Sequence, residues 1–159
     1  MWSGREEDRG SAICRFCDTD FVGVDGTRGG KYRTAAALAE QIEATWTAKS
    51  NDSRFVVLTG GEPLLQVDSD LIDALHRRGF QIAVETNGTV SIPEGIDWVC
   101  VSPKGSSQLV VTSGNELKVV VPQSELSLDA LALLDFDLRL LQPMDGPLLK
   151  ENTAIAIRH

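Results

Sequence analysis

Apolar positions along this chain follow two alternating patterns. Short apolar runs, typical of strands in a parallel sheet, alternate with stretches whose apolar residues recur every three or four positions, as in amphipathic helices. Strands are predicted at 54–59, 81–85, 98–101, 116–121 and 138–141, and helices at 35–46, 69–78, 124–134 and from 149 onward. The alternation predicts an α/β fold with a mostly parallel sheet.

Local signals refine these elements. Thr34 is a predicted N-cap for the first helix, and Gly79 is a predicted stop for the second. The run 54–59 is apolar between its ends, which predicts a strand buried on both faces. Residues 1–13 show no periodicity and are predicted to form a loop. Because no repeat or linker interrupts the chain, we expect one domain over residues 1–159.

Short polar motifs lie at the ends of the predicted strands. They are Thr59-Gly60-Gly61-Glu62-Pro63, Thr86-Asn87-Gly88, Ser102-Pro103-Lys104 and Gln142-Pro143-Met144-Asp145. The carboxyl ends of parallel strands meet at one edge of a sheet, where barrel-type folds build their sites. The motifs are therefore expected to contribute to one site.

Each motif taken alone also has a structural interpretation. Glycines at 60 and 61 let the backbone approach a ligand, and Glu62 could then accept from an ammonium group. Glu62 is equally suited to the start of the following helix. The other motifs leave comparable alternatives open: a turn or a ribose rim at 87–88, a solvated Lys104, and Met144 as core filler.

Composition narrows the classes of function. The chain has 159 residues, 42% of them hydrophobic and 24% charged, as in ordinary globular proteins. Its net charge of −8 argues against binding to a nucleic-acid backbone, which requires a basic face. No run of apolar residues is long enough to span a membrane, and the polar start is unlike a secretory signal. Three cysteines are too few for a disulfide framework, so a reducing cytoplasm is expected.

Cys14 and Cys17 are spaced so that one turn of backbone can present both thiolates to a soft metal centre. This spacing is found in iron–sulfur sites, zinc sites and redox pairs, and it does not choose among them. Cys100 alternates with valines in a predicted strand and is interpreted as a core residue. His76 lies beside two arginines and is interpreted as a surface residue.

The order of the motifs is more specific than any one of them. Cys-x-x-Cys, Thr-Gly-Gly-Glu-Pro, Glu-Thr-Asn-Gly, Ser-Pro-Lys and Gln-Pro-Met-Asp follow one another from Cys14 to Asp145. This order resembles the radical S-adenosylmethionine (SAM) enzymes, and among them most closely the 7-carboxy-7-deazaguanine synthase family.

The resemblance implies a cofactor set and the residues that hold it. Members of the family bind a [4Fe–4S] cluster through three cysteines, and SAM chelates the remaining iron. Cys14 and Cys17 match two of the cluster ligands. The remaining matches are SAM contacts at Gly61, Glu62, Ser102, Pro103, Lys104, Gln142, Pro143, Met144 and Asp145, a substrate contact at Thr59 and a Mg²⁺ ligand at Thr19.

The resemblance also implies a reaction and partners. It implies a carbon–nitrogen lyase that converts 6-carboxy-5,6,7,8-tetrahydropterin to 7-carboxy-7-deazaguanine in queuosine biosynthesis. It further implies an electron donor such as flavodoxin and a homodimer, with no direct contact to nucleic acid or membrane.

Two departures from the family pattern lead to further expectations. The family's third cysteine, its first barrel strand and a substrate segment of Leu-Gln-Gly-Glu type would precede Met1, and its last substrate contact would follow His159. The chain therefore resembles a fragment, and we expect an incomplete parallel (β/α) barrel without its first strand. We also expect an exposed sheet edge near 54–59 and impaired activity of the chain by itself.

Other classes remain open on the residues alone. A zinc module would require two more ligands, and no second Cys or His pair is present in the sequence. A thioredoxin-type redox pair would follow a strand, and none is predicted before Cys14. Another radical SAM enzyme, such as a glycyl-radical activase, would share the Gly-Gly-Glu-Pro motif, but Ser-Pro-Lys and Gln-Pro-Met-Asp fit the synthases better.

Overall fold

The computed structural model describes residues 1, 3–17, 22–47 and 54–159. Its strands are β1 (Arg54–Leu58), β2 (Phe80–Thr86), β3 (Trp98–Val101), β4 (Ser113–Val121) and β5 (Asp135–Pro143). Its α-helices are α1 (Ala35–Thr45), α2 (Ser69–His76), α3 (Leu128–Ala132) and α4 (Leu149–Arg158). Short 3₁₀-helices cover Glu6–Ser11 and Pro63–Leu65.

The strands form one sheet in the order β1-β2-β3-β4-β5, and every neighbouring pair is parallel. The predicted α/β class with a parallel sheet is therefore confirmed. The sheet does not close into a barrel, since β1 and β5 lie at its two edges. The carboxyl ends of all five strands, and the motifs that follow them, lie at the same end of the sheet, which we call its carboxyl edge.

The two helices that flank β1 in the sequence each begin after a residue whose side chain caps the helix N-terminus. The hydroxyl of Thr34 accepts a hydrogen bond from the Ala37 N–H at 3.2 Å, which confirms the predicted N-cap of α1. The carboxylate of Asp68 caps α2 in the same way, accepting from the Leu71 N–H at 2.9 Å. The chain then turns back toward β2 through Gly79, whose φ of +77° suits a residue without a Cβ.

Two hydrophobic clusters join the helices to one face of the sheet. The first is built from α1, α2 and the first two strands: Ala39, Leu71, Ile72, Ala74, Leu75, Phe80 and Ile82. The second belongs to the later strands: Val101, Val111, Leu117, Val119, Val121 and Phe136, with Ile155 of α4 packed against them. Burial of these side chains holds the parallel strands in register.

No helix of the described ranges covers the opposite face of the sheet, which we call the open face. Phe55 and Val57 of β1 are each 44% exposed there, and Leu138 and Leu140 of β5 are each 47% exposed. The prediction that 54–59 is buried on both faces is therefore wrong. Only Val56 and Leu58 of β1 pack against the helical cluster, because side chains alternate along a strand.

Other elements differ from their predicted bounds. Residues Glu6–Ser11 form a 3₁₀-helix in a stretch predicted to be loop. The predicted helix 124–134 is reduced to α3, which starts where the Ser127 hydroxyl accepts from the Ala130 N–H. Pairing with β4 lengthens β5 to Pro143, so the first half of the Gln-Pro-Met-Asp motif lies inside a strand. Within the described ranges, no helix is long and apolar enough to cross a membrane.

Candidate active site

The carboxylate of Glu62 joins the loop after β1 to the end of β2. It accepts hydrogen bonds from the Thr86 hydroxyl at 2.8 Å and from the Asn87 N–H at 2.9 Å. It also accepts from the Leu64 N–H at 3.2 Å, as the cap of the 3₁₀-helix that starts at Pro63. The helix-start interpretation of Glu62 is thus confirmed, and the carboxylate fixes the Gly-Gly-Glu-Pro loop against its neighbour.

Asn87 and Gly88 form a turn. Asn87 is 8% exposed, and its side-chain oxygen accepts from the Thr89 N–H at 2.9 Å. Gly88 has a φ of +78°, and a Cβ there would lie 2.8 Å from a methyl group of Val101. The turn interpretation of this motif is therefore confirmed, and residues 89–92 form no strand.

The loop after β3 reaches the cysteine segment through Lys104. The ammonium of Lys104 donates to the Ser102 hydroxyl at 2.6 Å. It also lies 5.8 Å from the ring centroid of Phe16, a residue between the two cysteines in the sequence. Burial lowers the pKa of Lys104, and the neighbouring Cys14 opposes this effect. Lys104 is therefore a partly buried cation beside the Cys-x-x-Cys turn.

The Cys-x-x-Cys segment is a braced turn. Arg9 donates to the backbone carbonyls of Arg15 at 2.8 Å and Cys17 at 3.1 Å. Cys14 is 7% exposed, and burial raises the pKa of its thiol while the charge of Lys104 works in the opposite direction. The two cysteines are thus presented together, next to a positive charge.

Close packing also joins this segment to the loop after β3. Gly105 has a φ of +45°, and a Cβ at this position would lie 2.7 Å from a methyl carbon of Ile13. Only glycine allows this approach without displacement. The cysteine segment is therefore seated directly on the carboxyl end of β3.

A cavity of about 440 Å³ opens at the same edge of the sheet. Its wall combines Ile13 and Phe16 of the cysteine segment, Gly105 after β3, Gln123 after β4 and Met144 after β5. The backbone of Met144 is fixed on both sides, since its N–H donates to the Val121 carbonyl at 2.7 Å and its carbonyl accepts from Asn152 at 2.8 Å. The volume falls in the usual range for small-molecule sites.

Comparison with known proteins identifies the family. The model of the radical SAM superfamily matches residues 9–115. The 7-carboxy-7-deazaguanine synthase of Bradyrhizobium diazoefficiens is 63% identical over 157 residues, which are 99% of this chain and 74% of the relative. That of Burkholderia multivorans is 59% identical over 157 residues, with the same two shares. That of Caulobacter vibrioides is 57% identical over 159 residues, 100% of this chain and 75% of the relative.

The chain belongs to the 7-carboxy-7-deazaguanine synthase family of radical SAM enzymes. The predicted resemblance is therefore confirmed, and so is the assignment as a radical SAM enzyme. Radical SAM enzymes use a [4Fe–4S] cluster and SAM. The zinc and glycyl-radical activase alternatives gain no support from these relatives.

Cys14 and Cys17 fit the role of two ligands of a radical SAM cluster. The two cysteines share one braced turn, and the Lys104 ammonium beside them favours an anionic thiolate cluster. Cys100 does not join the two cysteines of the turn, since it is buried within β3, where its thiol donates to the Glu116 carboxylate at 3.4 Å. Over the described ranges, no three Cys, His, Asp or Glu residues gather as a metal site.

The other predicted site residues of this radical SAM chain fall into three groups. Ser102, Pro103, Lys104 and Met144 lie with the cysteine segment or its cavity. Thr59, Gly61 and Glu62 follow β1, and Gln142, Pro143 and Asp145 end or follow β5 at the same edge. Thr19 lies outside the described residues.

Sequence reasoning missed four contributors to this edge. Phe16 lies against Lys104 of the loop after β3, and Gly105 lies against Ile13 of the cysteine segment. Glu85 and Lys118 form an ion pair on the open face. Glu85 belongs to the Glu-Thr-Asn-Gly motif, so its place before Thr86 was a signal. Lys118 gave only a weaker one, as the lysine within the otherwise apolar run 117–121.

Proposed function

We propose that this chain forms most of the catalytic domain of an enzyme that converts 6-carboxy-5,6,7,8-tetrahydropterin to 7-carboxy-7-deazaguanine, a step of queuosine biosynthesis. One observation carries the proposal. The Cys-x-x-Cys turn, residues Gly105 and Ser106 directly after the Ser-Pro-Lys motif, and Met144 line one cavity at the carboxyl edge of a parallel sheet, in a chain 63% identical to a named synthase.

The cavity is the proposed site of SAM. Phe16 and Met144 line it with apolar surface. Ser102 and Lys104 belong to the loop that leads to the lining residue Gly105, and they would supply a hydroxyl and a cation suited to the carboxylate of an amino acid. Gly61 leaves space beside the loop backbone after β1. Because the Glu62 carboxylate already has three donors, its role toward SAM is to hold that loop in shape.

Gln142, Pro143 and Asp145 are proposed to complete the SAM contacts from β5. Gln142 and Pro143 are its last residues, and the Asp145 carboxylate accepts from the Gly146 N–H at 2.8 Å. Their neighbour Met144 lines the cavity, and its backbone N–H and carbonyl are both hydrogen-bonded, which supports a role for the adjacent residues.

Cys14 and Cys17 are the proposed cluster ligands of the chain. A bound cluster and SAM supply one-electron cleavage chemistry that removes a hydrogen atom from C6 of the pterin. The protein's part is to hold both thiolates on one turn, to balance negative charge with Lys104, and to shield the centre from water by burying Cys14.

Thr59 is the proposed substrate contact, and Thr19 is the proposed oxygen ligand of Mg²⁺. Thr59 is exposed directly after β1, where its hydroxyl can donate to or accept from a pterin. Mg²⁺ prefers hard oxygen ligands and keeps several waters, so a single threonine from the protein is a sufficient anchor when the substrate supplies the rest.

The partners follow from this chemistry. A one-electron donor such as flavodoxin and a second copy of the chain are proposed, with no role for nucleic acid or membrane. A reducing compartment, the cytoplasm, is proposed because Cys14 and Cys17 must stay reduced to bind iron.

The test is a chimera. The matching 157 residues of the Bradyrhizobium diazoefficiens synthase are replaced by those of this chain, and the protein is reconstituted anaerobically with iron and sulfide. With reductant, SAM, Mg²⁺ and the pterin, we expect 7-carboxy-7-deazaguanine by mass spectrometry. Cys14→Ala should abolish it, and Cys100→Ser should not. A chimera that holds a cluster and cleaves SAM but forms no product would show that the substrate assignment is wrong.

A further inference from the structure

An ion pair on the open face connects two strands that are not neighbours. The Lys118 ammonium of β4 donates to the Glu85 carboxylate of β2 at 2.9 Å, across β3. The register explains this geometry, since Glu85 lies opposite Cys100 and Cys100 lies opposite Glu116. Lys118 is two residues beyond Glu116 and so shares its face.

The small residue between them makes the connection possible. Cys100 is 3% exposed, and its thiol donates to the Glu116 carboxylate at 3.4 Å. Its short side chain leaves the space above β3 open, so the lysine can reach over the strand. Lys118 therefore faces the acidic groups Glu85 and Glu116 together with the Cys100 thiol, and the Lys104 ammonium is also near enough to interact with it.

Lys118 is held as a cation in this position. Partial burial lowers its pKa, but the hydrogen bond to Glu85 and the nearby acidic groups outweigh this effect, and the pKa is raised overall. The ammonium has three donors, and the pair with Glu85 uses one of them. The side chain of Lys118 is 22% exposed and that of Glu85 is 43% exposed, so the carboxylate is the more accessible partner.

The pair lies between the motif loops already described. Glu85 directly precedes Thr86, whose hydroxyl holds Glu62 of the Gly-Gly-Glu-Pro loop. On the other side, Lys118 is close enough to Lys104 to lower the pKa of that residue further. A line of polar groups thus runs from the cysteine turn through Lys104 and Lys118 to Glu85.

We propose that Lys118 is a positioning residue that holds the Glu85 carboxylate on the open face as an acceptor for N–H or O–H groups of a ligand bound at the motif loops. This inference rests on the proposed function, and both ligands of that function carry such donors. SAM has ribose hydroxyls and an amino group, and the pterin has ring N–H and amino groups. A salt bridge this exposed adds little to stability, so orientation of Glu85 is its better explanation.

The experiment measures binding to the chimera used to test the proposed function, reconstituted anaerobically with iron and sulfide. Isothermal titration calorimetry with SAM, and separately with 6-carboxy-5,6,7,8-tetrahydropterin, compares the wild type with Lys118→Met, Lys118→Arg and Glu85→Gln. Lys150→Met is the matched control, because Lys150 lies exposed on α4, away from the open face. The ligand whose affinity changes identifies the group that Glu85 accepts from.

We expect Lys118→Met and Glu85→Gln to weaken binding of the same ligand by about tenfold, as for a hydrogen bond to a charged group. The double variant should be no weaker than Glu85→Gln alone, because the lysine acts through the carboxylate. Lys118→Arg should restore affinity to within about threefold, and thermal unfolding of Lys118→Met should match that of Lys150→Met.

Different failures have different meanings. A chimera without these substitutions that binds neither ligand would overturn the proposed function, and this inference with it. A wild type that binds, with Lys118→Met affecting neither ligand, would overturn the inference alone. Additive losses of affinity in the double variant would also overturn the inference. So would a loss of affinity in Lys118→Met that accompanies reduced thermal stability and that Lys118→Arg does not avoid.

Discussion

The Thr86 hydroxyl donates to the Glu62 carboxylate at 2.8 Å, so the ends of β1 and β2 are held together by side chains beyond the sheet itself. Glu62 is the one residue of the Gly-Gly-Glu-Pro motif with an ionisable side chain. Its three donors come from two different strand ends, and its loss would free both loops at once.

Glu62→Ala is therefore expected to lower the free energy of unfolding by about 2–3 kcal/mol, since it leaves three donors of a charged acceptor unmatched. The measurement is chemical denaturation followed by circular dichroism. Glu40→Ala, an exposed position in α1, is the control and should change stability by less than about 0.5 kcal/mol. Equal stabilities for the two variants would contradict the structural role of Glu62.

Gly61→Val is expected to abolish or strongly weaken SAM binding in the reconstituted chimera, because a branched side chain would fill the space proposed for the methionine end of SAM. Gly61 is exposed, so folding should be little affected. Gly26→Val is the matched control, since no atom lies within 4 Å of a Cβ built there. Calorimetry that finds unchanged SAM affinity in Gly61→Val would count against the assignment of this loop.

Gly105→Ala should displace the cysteine segment. A Cβ at this position would lie 2.7 Å from a carbon of Ile13, and the φ of +45° adds strain. We expect faster labelling of Cys14 by a thiol reagent, read by peptide mass spectrometry, together with a loss of stability of about 1–3 kcal/mol.

The control for that variant is Gly79→Ala. Gly79 also has a positive φ, of +77°, but no atom lies within 4 Å of the place that a Cβ would take there. It should lose stability without exposing Cys14. If both variants label Cys14 at the wild-type rate, the contact between the loop after β3 and the cysteine segment does not control access to the thiol.

Asp97 gives a pH-dependent contribution to stability. The Ile82 N–H donates to its carboxylate at 2.7 Å, and this bond, together with His76 at 3.0 Å, lowers the pKa of Asp97 below its usual value. A carboxyl whose pKa is depressed in the folded state stabilises the protein above its unfolded pKa, and this stability is lost as pH falls through the folded value.

Asp97→Asn should therefore lower stability by about 1 kcal/mol near neutral pH. The difference from wild type should shrink as the pH falls below about 4. Urea denaturation at several pH values is the measurement. A difference that stays constant down to pH 2 would show that the charge of Asp97 is not what the fold uses.

The sequence predicted the fold well where local signals and burial agree. The caps at Thr34 and the stop at Gly79 are properties of single residues, so α1 and α2 were predicted nearly to their ends. The prediction that 54–59 is buried on both faces was wrong, because a continuous apolar run is compatible with a strand that is covered on one face or on both. Which neighbours cover Phe55 and Val57 depends on tertiary structure alone.

The site residues also divide into those that local signals predict and those that depend on tertiary structure. Motif order was enough to gather the strand-end residues at one edge, because parallel strands guarantee that result. Glu85 and Lys118 escaped notice because their partnership needs the register of three strands, which periodicity does not encode. The ring of Phe16 below Lys104 is likewise a contact between segments far apart in the chain.

The buried thiol of Cys100 has a consequence for oxygen sensitivity. With a pKa of about 12, only about one molecule in 10⁵ carries the thiolate at neutral pH, and the thiolate is the form that oxidants attack. Exposure to air should therefore damage the Cys-x-x-Cys turn first and leave Cys100 intact. In any assay of oxidised protein, Cys100 is an internal standard against which the loss of the other thiols can be counted.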